Sequence, residues 1–367
     1  RSEHRRNEIH FVWEGDITGT PDGTVTFSLD GEVLSTFKRN RIGFCILHPI
    51  NCAGKTCTVE EVNGNSYDSA FPREIAPHQP FLNLRKITHE VLPGVQAEVC
   101  MEGDTFEMED QRNWSDASFK TYCTPLGLPF PVTVEAGTKI SQKITLRLIG
   151  TVPQIEAVSG SLTINVLNET TKLPDIGLGA ASHGQPLAER DIERLKMLNL
   201  SHLRVDVRFA QPDYDAKFRQ TAQEAAAIGV GLEVALFLTE KAEAELIAFR
   251  LLLEQLQPKV CRWLVFHQHE KSTTAKWVKL AQERLHDWAE RAPVGAGTDA
   301  FFTELNRERP PVDAVDFVTF SNNGTVHATD NASITETLLT QAETVRSARA
   351  FANGLPVIVS PVTFKMR

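Results

Sequence analysis

The sequence lacks any apolar run approaching the ~20 residues needed to span a bilayer. It also lacks a basic stripe, since 38 Lys and Arg are outnumbered by 47 Asp and Glu, for a formal net charge of -9. The one basic cluster occupies residues 1–6, at a terminus. Because nucleic-acid binding needs basic groups that face the phosphates, we expect neither a nucleic-acid nor a membrane partner.

Cysteine is sparse: there are six, and none forms a Cys-x-x-Cys pair. Most of them lie in or beside strand-like runs, where cysteine serves as a small buried hydrophobe. Cys52 and Cys57 flank a glycine-containing loop and could form a bridge. No signal peptide is evident, although the first residue is not methionine. We expect a reduced, cytoplasmic protein.

The second half of the chain repeats a pattern in which a short apolar run is followed by a polar tip and a helix-like stretch. Each run is mostly aliphatic and apolar on both faces, which is typical of parallel strands covered by helices. With no glycine-rich phosphate turn, seven such units favour a (β/α)8 TIM barrel over a doubly wound sheet. The runs are residues 176–181, 202–209, 231–238, 261–266, 294–302, 315–321 and 356–362.

Before about residue 150 the runs are short, many alternate polar with apolar residues, and turn signals such as Asp30-Gly31 and Pro93-Gly94 separate them. This pattern predicts an antiparallel β-sandwich over residues 1–150. A connector with one strand, at 161–167, is expected over 151–173. The barrel is predicted over 174–367 with seven of its eight strands, so we expect the chain to be part of a longer protein.

Polar side chains on the second run are the first candidates for chemistry, because barrels place catalysis at the carboxyl ends of their strands. Arg204, Asp206 and Arg208 fall on one face, two residues apart. They could form an internal network that fills the barrel, or a clamp for a carboxylate or polyol. Glu233 on the third run is either a salt-bridge partner of Arg204 or a functional carboxylate.

The fourth run ends in His267-Gln268-His269-Glu270. Two histidines spaced by one residue on a strand can share a metal. Metal-dependent amidohydrolase barrels, however, carry such a pair on the first strand. We therefore expect no metal and no other cofactor, and we assign His267 to substrate binding.

The segments after the fifth and sixth runs are rich in polar groups. Glu304 is the strongest candidate for a general acid or base, with a helix-capping or loop-anchoring role as the alternative. Asn306 follows it two residues later. Asn322 opens a loop that also holds His327 and Asp330, which are three apart and form a second acid/base option.

In the first half, residues 106–122 combine charges of both signs with aromatic side chains. A domain-interface network is one interpretation of this segment. The other is a rim that brings Arg112, Asn113 or Lys120 to the mouth of the active site.

At these segments the sequence resembles the D-apionate lactonases of bacterial apiose catabolism. The resemblance rests on residues 109–122 (EDQRNWSDASFKTY), 303–307 (TELNR) and 326–333 (VHATDNAS), and it extends over essentially the whole chain. It implies a β domain, a barrel like those of glycoside hydrolases and a further C-terminal β domain. It also implies hydrolysis of a branched aldonolactone, a small-molecule partner, to its acid.

A lactonase needs a base, an oxyanion stabiliser and groups that bind hydroxyls. From chemistry and position we assign Glu304 as the base and Arg204 or His327 as the stabiliser. The expected substrate-binding residues are Asp206, Arg208, Glu233, His267, Asn306 and Asn322. A glycoside hydrolase and a non-catalytic carbohydrate-binding protein remain the alternatives, and the sequence does not indicate an oligomeric state.

Overall fold

A computed structural model describes residues 1–151, 164–290 and 292–364. The chain divides into two compact units, Arg1–Gly160 and Ser161–Arg367. The strands of the first unit are β1 Ser2–Arg6, β2 Ile9–Gly19, β3 Val25–Val33, β4 Phe37–Arg39, β5 Cys45–Pro49, β6 Thr56–Glu61, β7 Ser66–Ala70, β8 Leu84–Leu92, β9 Val95–Glu102, β10 Glu107–Asp110, β11 Ser118–Tyr122, β12 Val132–Val134 and β13 Lys139–Ile149. Short 3-10 helices occupy Ile50–Cys52 and Gln111–Trp114.

The first unit is an antiparallel β fold, as predicted. Its large sheet has eight strands in the order β1-β2-β3-β13-β9-β8-β6-β7, and a three-stranded sheet has the order β10-β11-β5. The main core joins apolar side chains of both sheets, such as Ile87 and Val99 with Met108 and Phe119. Alternation along each strand sends every second side chain into this core.

The predicted connector strand at 161–167 is not seen where it can be assessed. Residues 164–167 have no strand conformation, and residues 161–163 lie outside the described part of the chain.

The second unit is a nearly closed parallel barrel, which confirms the predicted fold class. Its strands are β14 Gly177–Gly179, β15 His202–Arg208, β16 Gly231–Leu238, β17 Val260–His267, β18 Val294–Gly297, β19 Phe317–Asn323 and β20 Val357–Thr363. Its helices are α1 Glu189–Lys196, α2 Tyr214–Ile228, α3 Ala242–Leu256, α4 Ala275–Arg284, α5 His286–Ala289, α6 Phe302–Arg307 and α7 Asn331–Phe351, with a 3-10 turn at Val312–Ala314. No helix in the described ranges is long and apolar enough to cross a membrane.

The seven strands pair in chain order, each parallel to the next. Within the described residues, β14 and β20 are the two edges of this sheet. The fifth strand is shorter than predicted: β18 ends at Gly297 and α6 begins at Phe302. The polar residues after β18 therefore divide between a strand end and a helix.

Strand alternation sorts the barrel side chains into two layers. Leu203, Val205 and Val207 of β15 pack with the surrounding helices. Their neighbours Arg204, Asp206 and Arg208 point to the other face, into the barrel. An apolar interior layer of Ala235, Phe237, Leu264, Phe266 and Phe317 lies on the same side. The polar groups of β15 thus meet inside the barrel, beside an apolar lining.

Candidate functional site

Two arginines and two aspartates form a cluster inside the barrel. The Arg204 guanidinium donates through Nε to Asp206 Oδ1 (3.0 Å) and through Nη2 to Asp299 Oδ1 (2.7 Å). Arg208 Nη2 donates to Asp206 Oδ2 and to Asp299 Oδ2, both at 3.2 Å. Each aspartate therefore bridges both arginines, and the four charges balance.

The two arginines differ in their exposure and in the number of their nitrogens that donate to protein groups. Arg204 is 4% exposed, and its third nitrogen, Nη1, donates to Ser360 Oγ at 3.0 Å. Arg208 has a side chain that is 37% exposed, and its guanidinium carbon lies 3.7 Å from the centroid of the Phe237 ring. Among the described residues, Arg208 Nε and Nη1 have no hydrogen-bond acceptor. Every nitrogen of the buried Arg204 thus donates to a protein group, whereas the partly exposed Arg208 keeps an open guanidinium edge.

Two clefts open beside this cluster, and Arg208 lines both. The first, which we call the aromatic cleft, has a volume of about 420 Å³ and is lined by Arg208, Ala210, Gln211, Phe237, Phe266, His267, Gln268, Glu270, Lys271, Thr298, Asp299 and Ala300. The second, the β14 cleft, has about 440 Å³ and is lined by residues of β14 and its following loop, β15, α2 and β20, including Arg204, Asp206, Gln211 and Thr363. Most of these residues lie at or beyond the carboxyl ends of strands, where barrels carry their chemistry.

Glu233 lies deeper in the barrel and is fully buried. Its Oε1 accepts a hydrogen bond from Ser360 Oγ. Its Oε2 lies 3.5 Å from Arg262 Nε and 3.6 Å from His202 Nε2. Glu233 lines neither cleft, and its ion pairs within the described residues are with Arg262 and His202 and not with Arg204, to which it is connected through the Ser360 hydroxyl.

The end of β17 forms a stacked wall of the aromatic cleft. The His267 ring is stacked on Trp277 with centroids 4.1 Å apart. Trp277 Nε1 donates to Glu270 Oε1 at 2.7 Å, and Glu270 also accepts from the backbone N–H of Thr274 at the start of α4. Within the described ranges, no group of three or more His, Cys, Asp or Glu residues is placed to hold a metal ion. His267 lines the aromatic cleft, and its role in substrate binding stays a prediction.

Glu304 is not a strand-end residue. It lies in the first turn of α6, where its carboxylate accepts a hydrogen bond from the Phe301 backbone N–H at 3.0 Å. Burial raises the pKa of the Glu304 carboxyl, against the opposing effects of backbone hydrogen bonds and of Lys271 and Arg307. It lines neither cleft, so the structure corresponds to the helix-capping alternative. Asn306, on the same short helix, is buried and also lines neither cleft.

The loop after β19 holds the two residues of the second acid/base option, His327 and Asp330. Asp330 is the N-cap of α7 and accepts hydrogen bonds from the backbone N–H and the hydroxyl of Ser333, which hold the pKa of Asp330 below its ordinary value. His327 is exposed, and Asn322 is buried in β19. Neither of these two residues lines either cleft.

The three rim candidates belong to the first unit. Arg112 is fully buried, paired with Asp110 at 2.7 Å, and donates to the backbone carbonyls of residues 72, 73 and 74. Asn113 is buried beside it and donates to the carbonyls of residues 76 and 110. These two side chains tie together the loops of the first unit. Lys120 is partly exposed and paired with Glu109 at 2.7 Å.

Sequence reasoning missed Asp299, although it named the surrounding segment. The signal was present: Asp299 follows Gly297-Thr298 at the end of an apolar run that begins at Val294. A strand that extended to Phe302 would place Glu304, and not Asp299, just beyond its end.

Comparison with known proteins agrees with the sequence motifs in both units. Residues 1–151 match the family model "D-apionate lactonase, N-terminal domain", and residues 176–367 match "D-apionate lactonase, TIM barrel domain". A D-apionate lactonase from Brucella anthropi is 36% identical over 96% of this chain and 60% of its own length. The chain thus spans about three-fifths of that relative.

Solved structures show weaker likenesses. A beta-arabinopyranosidase matches with 8% identity and a TM-score of 0.25, covering 81% of this chain and 59% of that one. A Ruminococcus gnavus beta-glucuronidase bound to D-glucaro 1,5-lactone matches with 10% identity and a TM-score of 0.36, covering 95% of this chain and 53% of that one. These scores are too low to carry a functional argument. The two family models, which together cover nearly all of the sequence, show that the chain belongs to the D-apionate lactonase family.

Proposed function

We propose that this protein hydrolyses a sugar-acid lactone, with a branched lactone such as D-apionolactone as the favoured substrate. Family membership supports the reaction class. The observation that carries the assignment of the site is the Arg208 guanidinium, which is held by two carboxylates and presents unpaired N–H groups at the mouth of two clefts.

Arg208 is the proposed oxyanion stabiliser, in place of Arg204 or His327. Attack on a lactone carbonyl places negative charge on its oxygen, and preorganised donors aimed at that charge lower the barrier. Arg204 is buried and each of its three nitrogens already donates to a protein group, whereas the more exposed Arg208 has two nitrogens, Nε and Nη1, that donate to no group in the described part of the chain. Asp206 and Asp299 fix the Arg208 guanidinium through Nη2, so its open edge is held in place before substrate arrives.

Asp299 is the proposed general base. It lines the aromatic cleft, and a carboxylate is an acceptor with about four lone-pair sites, which supports a role in taking a proton from water. Asp299 takes that proton while the water oxygen bonds to the carbonyl carbon. When the tetrahedral intermediate collapses and the ring C–O bond breaks, the same proton goes to the leaving ring oxygen.

The remaining cleft residues suit the recognition of hydroxyl groups. Asp206 and Gln211 in the β14 cleft, and Gln211 and Gln268 in the aromatic cleft, are hydrogen-bonding groups beside the cluster. The Phe266 ring gives the aromatic cleft an apolar surface against which a sugar carbon face can pack.

The experiment measures acid release from D-apionolactone and from an unbranched aldonolactone, with the purified protein, in a chelator and again with added divalent ions. We expect rates well above spontaneous hydrolysis. Lactone opening at the spontaneous rate under every condition would contradict the proposal. Turnover of an aryl glycoside instead would favour a glycoside hydrolase, and ligand binding without turnover would favour a carbohydrate-binding protein.

A further inference from the structure

A chain of hydrogen bonds runs from the barrel interior to the proposed site. Arg204 Nη1 donates to Ser360 Oγ at 3.0 Å, and the Ser360 hydroxyl donates to Glu233 Oε1. The direction is fixed because a guanidinium can only donate and a carboxylate can only accept. Ser360 on β20 therefore couples Glu233 on β16 to Arg204 on β15.

Burying the Glu233 carboxylate at this position costs free energy. It is 0% exposed, and its Oε2 lacks a hydrogen-bond partner among the described residues. Arg262 and His202 face that oxygen at 3.5 and 3.6 Å. Burial lowers the pKa of His202, against the opposing effect of Glu233, so His202 is a weak source of compensating charge. Buried ion pairs of this kind add little net stability compared with apolar packing.

The layer next to this network shows that the barrel interior can also be filled by apolar side chains. Ala235, Leu264 and Phe317 fill the barrel interior next to this network without any charge. The polar network is therefore better explained by the position that it gives to Arg204 than by a contribution to stability. What it holds is Arg204, whose two other nitrogens fix Asp206 and Asp299.

We propose that Ser360 and Glu233 are positioning residues, which set the Arg204 guanidinium and, through it, the carboxylates of the reaction site. This inference rests on the proposed function for its kinetic consequence, but the geometric consequence can be observed without it. Neither residue lines either cleft. A misplacement of about 1 Å in a reacting group can cost about a hundredfold in rate.

The test is Ser360→Ala, which removes one hydroxyl and leaves both charged ends in place. Thr344→Val is the control, since it deletes a buried hydroxyl from α7 that lines neither cleft. We expect kcat for lactone hydrolysis to fall by roughly 10- to 100-fold in Ser360→Ala, with KM changing less than about threefold. Thr344→Val should keep both constants. A purely structural role would lower the melting temperature of Ser360→Ala but leave kcat at the wild-type value.

A crystal structure of Ser360→Ala provides the second measurement. The proposal expects the Arg204 Nη2 to Asp299 Oδ1 separation, 2.7 Å here, to lengthen beyond hydrogen-bonding distance. If Arg204 stays in place, the inference is overturned whatever the kinetics. If the wild-type protein opens no lactone but Arg204 moves, the proposed function fails and the positioning role stands. Glu233→Gln keeps an acceptor for Ser360 and should retain more activity than Glu233→Ala.

Discussion

Arg204 and Arg208 lie on one strand and one face, four residues apart, yet they offer different chemistry. Period-two alternation predicts that they share a face with Asp206, and the structure agrees. The sequence could not tell which guanidinium stays open, because that depends on partners far along the chain. Arg204 donates to Asp299 and Ser360, which are 95 and 156 residues away in the chain.

Arg208→Lys tests the open guanidinium edge. Lysine keeps the charge but loses the planar fork that can bind both aspartates and still donate to an oxyanion. We expect kcat to fall by about 10²- to 10³-fold, the usual loss for one oxyanion donor. Arg219→Lys is the matched control, because Arg219 forms an exposed ion pair with Asp215 on α2. Comparable losses in both variants would show that the kinetic effect does not come from the cleft.

At the scale of single elements, β18 is shorter than the strand that the sequence predicts. Its sequence is Val294-Gly295-Ala296-Gly297, and it ends well before the apolar residues that follow. A side chain on Gly295 would collide with the Phe317 ring, which fills this part of the barrel interior. Hydrophobicity alone extends the strand to Phe302, whereas the structure uses Phe302 to pack α6 against Phe320 of β19.

Gly297→Ala tests this close approach of β18 to β19. The added methyl group would overlap the Thr319 backbone carbonyl, which cannot rotate away. We expect a loss of about 1–3 kcal/mol in the free energy of unfolding, the range for overpacking. Gly179→Ala in β14 is the control, since a methyl group added there would have nothing within 4 Å. Urea unfolding of both variants provides the comparison; equal midpoints would refute the overlap.

At the scale of the molecule, local patterns predicted the two fold types but not their long-range pairings. Seven apolar runs at regular spacing predict a parallel barrel because each strand pairs with the next along the chain. The large sheet of the first unit is different, since β13 pairs with both β3 and β9. No local signal specifies such partners, so the sequence predicted the sandwich without its strand order. The sequence does not predict the hydrogen bonds of Arg112 for the same reason, because their acceptors are backbone carbonyls some 40 residues away.

The first unit should lose stability in mild acid, because it buries two neutral imidazoles. Burial and the neighbouring His89 lower the pKa of His48 to about 4, and burial also lowers that of His89. In the unfolded chain a histidine binds a proton at about pH 6.5. The contribution of the neutral histidines to the free energy of unfolding is therefore complete above that pH and is lost as the pH falls towards 4. His48 alone contributes roughly 3 kcal/mol to this pH-dependent part of the free energy of unfolding.

Hydrogen exchange of peptides from residues 1–151, measured in urea between pH 7 and 4, would follow this loss. His48→Gln keeps a hydrogen-bonding group opposite Thr121 but cannot titrate in this range. Its unfolding should depend less steeply on pH than that of the wild type. An unchanged pH dependence would show that His48 is not the group responsible.

The most direct test of the account compares turnover of D-apionolactone by Asp299→Asn and Glu304→Gln, two isosteric changes of carboxylates that lie five residues apart in the sequence. If the reaction takes place at the arginine–aspartate cluster, Asp299→Asn lowers kcat by about 10²- to 10⁴-fold. Glu304→Gln, which alters only the α6 cap, should then keep kcat within about threefold of the wild type. Circular dichroism checks that both variants are folded. A large loss of kcat in Glu304→Gln with near-normal turnover in Asp299→Asn would contradict the account and would identify Glu304 of α6 as the general base.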